Sequence, residues 1–87
     1  MKANRTTALM KLHERATAIL QMIQDADKYQ RNCIRNAQEI KADEIYYLLR
    51  DRYKDCIVKA RKYAKVAARL RRSYGDTLQR INQTAVK

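Results

Sequence analysis

Proline, phenylalanine and tryptophan are missing from this chain of 87 residues, and glycine occurs once, at Gly75. Sheets and their connections depend on turn-forming residues, so a β-sandwich or a doubly wound sheet, each with many turns, is excluded. Long apolar runs are also missing. No stretch approaches the roughly 18 consecutive apolar residues of a membrane span, and the start, Met1-Lys2-Ala3-Asn4-Arg5-Thr6-Thr7, lacks the apolar centre of a signal peptide. The expectation is a soluble intracellular protein, cytoplasmic or associated with the nucleus or nucleoid, neither secreted nor transmembrane. Cys33 and Cys56 are the only cysteines. They lack the CxxC or Cys/His spacing of a zinc site and are too few for a disulfide scaffold, so they read as reduced residues of the packing face.

Acid is scarce. Nine Asp plus Glu face twenty Lys plus Arg, a formal charge of +11. That balance repels itself and implies an acidic counterpart: a polyphosphate backbone, an anionic membrane surface or an acidic protein. A domain of this length buries only about 60% of its unfolded surface, so partners are expected to supply part of its stability.

What fills the chain instead is Ala, Leu, Ile, Lys, Arg, Glu and Gln, which lose little freedom on entering a helix. The fold class is therefore all-α. From Leu9 the apolar positions run Leu9, Leu12, Ala16, Ile19, Ile23 and Ala26, pass a polar Gln30, and continue through Cys33, Ala37 and Ile40. The alternating three and four spacing lines one seam of a helix. A second series runs Ala42, Tyr46, Leu49, Tyr53, Cys56, Ala60, Tyr63, Ala67, Leu70, Tyr74, Thr77 and Ile81 in the same rhythm but out of phase. Extending the first register would place Glu44 and Asp51 on the seam, so the phase changes between Ile40 and Tyr46.

A tight turn near residues 41–44, with Asp43 as N-cap of the second helix, explains the change. The predicted elements are a helix over 6–41, a basic helix over 44–74 and a short last helix over 77–85, in a single domain. Gly75 reads as a left-handed helix stop and Asp76 with Gln79 as a capping box, with fraying after Ile81. Layered around the turn, Ala37 faces Leu49, Cys33 faces Tyr53, Ile23 faces Tyr63, Ile19 faces Ala67 and Leu12 faces Tyr74. Two alternatives stay open: three helices with a further break near residues 25–28, and long helices that associate between chains. Leu20, Met22, Ile34, Leu48, Ile57, Val58 and Val66 widen the apolar band beyond a two-position seam. A two-helix core is thin, so the hairpin is expected to dimerise into a four-helix bundle or to dock on a larger assembly.

Charge is uneven along the chain. Residues 44–87 carry twelve Lys or Arg against four acids, and residues 1–43 carry eight against five. Between Cys56 and Gly75 lie Lys59, Arg61, Lys62, Lys65, Arg69, Arg71 and Arg72 with no acid among them. On the second heptad, Lys54, Arg61, Lys62, Lys65, Arg69 and Arg72 fall on the face away from the seam. With Arg50, Lys59 and Arg71 they form the candidate nucleic-acid-binding set, because phosphate neutralisation releases counterions and Arg adds bidentate hydrogen bonding. A solvated face normally mixes both signs.

Six tyrosines raise the question of base stacking. Tyr46, Tyr53, Tyr63 and Tyr74 belong to the seam, where Leu12, Ile19, Ile23, Ile40, Leu49 and Leu70 accompany them, so they read as packing residues with hydroxyls at the helix edge. Tyr29 and Tyr47 lie off it and are the candidates for an exposed stacking contact. His13, beside Glu14, has no Cys, Ser or second acid spaced to form a catalytic set, and there is no P-loop, glycine-rich dinucleotide turn or HExxH. The expectation is a non-enzymatic protein without metal, cofactor or small-molecule substrate. It would bind nucleic acid sequence-independently through one helix face, or pack as an adaptor on a larger protein assembly.

Overall fold

The computed structural model describes residues 2–86. With no proline to interrupt them, the helix-forming residues build α1 over Lys2–Ala42 and α2 over Arg50–Val86. A single 3-10 turn, Tyr46–Leu48, lies between them. The two helices pack antiparallel as a hairpin, a rod whose backbone measures 67 × 14 × 13 Å. No break divides α1 near residues 25–28, which removes the three-helix alternative.

Asp43 ends α1 by competing for the backbone. Its Oδ1 accepts the amide of Ile45 at 3.0 Å, and its carbonyl accepts the amide of Tyr46 at 3.0 Å. A short acceptor side chain that bonds two residues ahead turns the chain out of the helix. Asp43 therefore holds the corner and does not cap the second helix. The amides of Leu48 and Leu49 then reach back three residues to Ile45 and Tyr46, and the amide of Tyr53 donates to the carbonyl of Leu49 at 3.0 Å to open α2. Asp51 sits in the first turn of α2, where the helix dipole favours an anion.

This connection is longer than the turn expected near residues 41–44, and that corrects the layering. Tyr63 meets Tyr29, with ring centroids 5.4 Å apart, instead of Ile23. Lys41 lies over the ring of Tyr53 at 5.8 Å, which places Tyr53 near the end of α1 rather than beside Cys33. Met22, Ala26 and Tyr29 share a depression with Leu70, Val66 and Tyr63. Moving the centre of the connection from near Asp43 to near Tyr46 shifts every pairing by twice that offset, roughly one heptad. A heptad shift leaves the same faces in contact.

Among the described residues the buried apolar ones are Ala16, Ile19, Ile23, Ala26, Ala37, Ala60 and Ala67. Alanines let the two backbones approach closely, while Ile19 and Ile23 each contribute about 1.5–3 kcal/mol by leaving water. Leu12, Ile40, Leu49, Tyr53, Tyr63, Leu70 and Tyr74 are half-buried along the same line, and Ala42 is exposed. Both cysteines are free thiols and half-buried.

Gly75 does not stop the helix. It has no positive φ, and α2 runs through it to Val86. The seam explains why: Tyr74 and Ile81 remain half-buried, and Thr77 is buried with its hydroxyl donating to the carbonyl of Ser73 at 2.8 Å. Continued packing outweighs the propensity cost of one glycine. The last turn is also held from α1, where Arg5 donates through Nε to the carbonyl of Thr84 at 3.0 Å and through Nη2 to that of Ala85 at 2.9 Å. A cation on the orphan carbonyls of a helix end satisfies them and complements the dipole. A Cβ at Gly75 would meet nothing within 4 Å. Gly75→Ala should therefore stabilise the hairpin by about 1 kcal/mol, read as a higher thermal midpoint; a lower midpoint would contradict an ordinary helical glycine here.

Candidate nucleic-acid interface

Because the seam of α2 faces α1, its opposite side faces solvent along the whole helix. That side carries three neighbouring rows of bases: Lys54 and Arg61, then Lys65 and Arg72, then Lys62 and Arg69. All six are exposed. Successive residues turn by about 100°, so rows a heptad apart stay aligned, and the three rows cover about 100° of the helix surface. Val58, Arg61, Lys62, Lys65, Val66 and Arg69 line one open depression of this face. Tyr53, Lys54, Ile57, Val58 and Arg61 line the next, nearer the start of α2. The surface thus alternates cationic head groups with short apolar side chains, over which the Lys and Arg stems can lie.

The remaining candidate bases divide. Arg71 is turned towards α1, its Nη2 2.6 Å from Oδ2 of Asp27, and its side chain remains more than half exposed. Lys59 lies on the other flank, around a depression it shares with Glu39 and Asp55. Arg50 is exposed in the first turn of α2, beside Asp51. Of the nine bases named from sequence, six therefore share one exposed face, while Arg50, Lys59 and Arg71 lie beside it.

The two candidate stacking residues are apart from that face. Tyr29 is 52% exposed, but one side of its ring packs on Tyr63. Tyr47 is 66% exposed at the hairpin tip, next to the equally open Leu48. Tyr46 is edge-on to Tyr53, with centroids 5.6 Å apart, an intramolecular contact. His13 is exposed, and its carbonyl accepts the hydroxyl of Thr17 at 3.0 Å. Among the described residues no group of three His, Cys, Asp or Glu could hold a metal ion. Among the described residues no helix is long and apolar enough to cross a membrane.

Sequence reasoning missed the Arg5 clamp and the Lys41–Tyr53 contact. Both join residues from opposite helices, so their signal lay in the register rather than in any local pattern. The ridge was visible as an acid-free run, but the engagement of Arg71 by Asp27 was not, since the two are 44 residues apart. No family model matches the chain, and neither a curated protein nor a solved structure matches it.

Proposed function

We propose that this chain is a non-enzymatic nucleic-acid-binding protein that holds the phosphate backbone, without reading sequence, through the outer face of α2. The observation that carries this reading is the clustering of Lys54, Arg61, Lys62, Lys65, Arg69 and Arg72 on one exposed face, the last five of them in a stretch free of acid from Cys56 to Gly75. Six neutralised phosphates correspond to a slope of log affinity against log salt of about −4 to −5. Fluorescence anisotropy with a mixed-sequence oligonucleotide, titrated with salt, measures it. A slope near zero, or no binding at low salt, would sink the proposal.

A second reading, docking on a larger protein assembly or on a second copy, rests on apolar side chains that the hairpin leaves open. Leu20, Ile34 and Leu78 are each about two-fifths exposed, and Met22 is 52% exposed. Light scattering on the same samples separates the two. A monomer that binds nucleic acid with the slope above supports the first reading, and a salt-insensitive multimer supports the second.

A further inference from the structure

The outer face of α2 also bears on the form of the polymer. Resting on the phosphate-binding reading of α2, we infer that the polymer is B-form duplex DNA, with the ridge seated in its major groove.

Three observations converge. The bases are not a single file: Lys54 and Arg61 lie on one side of the crest formed by Lys65 and Arg72, and Lys62 and Arg69 lie on the other, all exposed. Two flanking rows meet phosphates on two walls. A single strand offers one line of phosphates and would leave one row unpaired. The B-form major groove, about 12 Å wide, has a phosphate wall on either side and admits one helix of about 10–12 Å diameter.

Next, the ridge has no open stacking platform: Tyr53 borders the depression nearest the start of α2, but it is half-buried, with Tyr46 edge-on to its ring and Lys41 over it. Single-strand binders combine bases with exposed aromatics on which nucleobases stack. Tyr53, Tyr63 and Tyr74 are half-buried in the seam, Tyr46 is edge-on to Tyr53, and Tyr29 is packed on Tyr63. The exposed Tyr47 is at the hairpin tip, before α2 begins.

Finally, α2 is one uninterrupted helix and α1 lies wholly on its seam side, so nothing obstructs the outer face. A straight rod suits a groove whose walls are already in place. A-form RNA has a deep, narrow major groove that does not admit a helix, which separates the duplex types.

The test uses the full chain and three labelled probes of one sequence at one low salt concentration: duplex DNA, single-stranded DNA and duplex RNA. Duplex DNA should bind at least about tenfold more tightly than either of the others. Dimethyl sulfate then reports the groove, because guanine N7 lies on its floor; saturating protein should protect it from methylation. Equal or tighter binding of single-stranded DNA or duplex RNA, or guanine N7 left reactive in the saturated complex, overturns the duplex-groove inference while the phosphate reading stands. No binding to any probe at low salt overturns the phosphate reading itself.

Discussion

Ala67→Arg should unfold the hairpin, whereas Ala68→Arg should leave it almost unchanged. Ala67 has no exposed surface, and Ala68, one residue on, is open to solvent. At Ala67 an arginine must either bury a guanidinium without a partner or drive the helices apart, and losing close packing and desolvating a charge each cost several kcal/mol. Natural domains hold only about 0.05–0.15 kcal/mol per residue, and among the described residues the buried apolar core is five alanines and two isoleucines. The substitution therefore removes most of the margin, seen in circular dichroism as loss of a cooperative thermal transition. At Ala68 the effect should stay within about 0.5 kcal/mol, as for other exposed positions. Equal melting of the two variants would mean that the packed face of α2 is not the one described.

Reversing three charges of the ridge, Arg61→Glu, Lys65→Glu and Arg69→Glu together, should reduce nucleic-acid affinity at least about 100-fold at low salt and bring the salt slope close to zero. The reason is local: three of the six outer bases become acids, so the face has no net positive charge to release counterions. A matched control separates this from loss of overall charge. Lys28→Glu, Arg31→Glu and Arg35→Glu lower the net charge of +11 by the same amount, but from exposed positions on α1. That control should lose far less affinity and keep most of the slope. If both triple variants bind alike, the protein acts as a diffuse polycation and α2 has no special place. Neither set touches the seam, so far-ultraviolet circular dichroism should report an unchanged helical content in both.

The two experiments address opposite faces of one helix, and the same heptad arrangement makes both predictions. A residue on the seam is held by contacts that tolerate neither charge nor bulk. One on the outer face contributes little to stability and is free to meet a partner. Arg71 illustrates the boundary: it belongs to the acid-free run, yet it sits where the two helices flank each other and is taken by Asp27.

The all-helical class, the two seams and the outer ridge follow from the amino-acid sequence alone, because each depends on local propensity or on residue spacing within one helix. Leu12, Ile19, Ile23, Leu70 and Tyr74 share a rhythm that only a helix can turn into a face. Three features depended on tertiary structure. The pairing of the helices did, because heptad patterns match equally well after a shift of seven and the length of the corner at Asp43 selects among the matches. The continuation of α2 through Gly75 did, because burial of Thr77 and the Arg5 clamp on Thr84 and Ala85 outweigh a local stop signal. The division of the bases did as well, because a cation's freedom to meet phosphate depends on which acid lies across the helix boundary, and the chain's linear order does not reveal that neighbour.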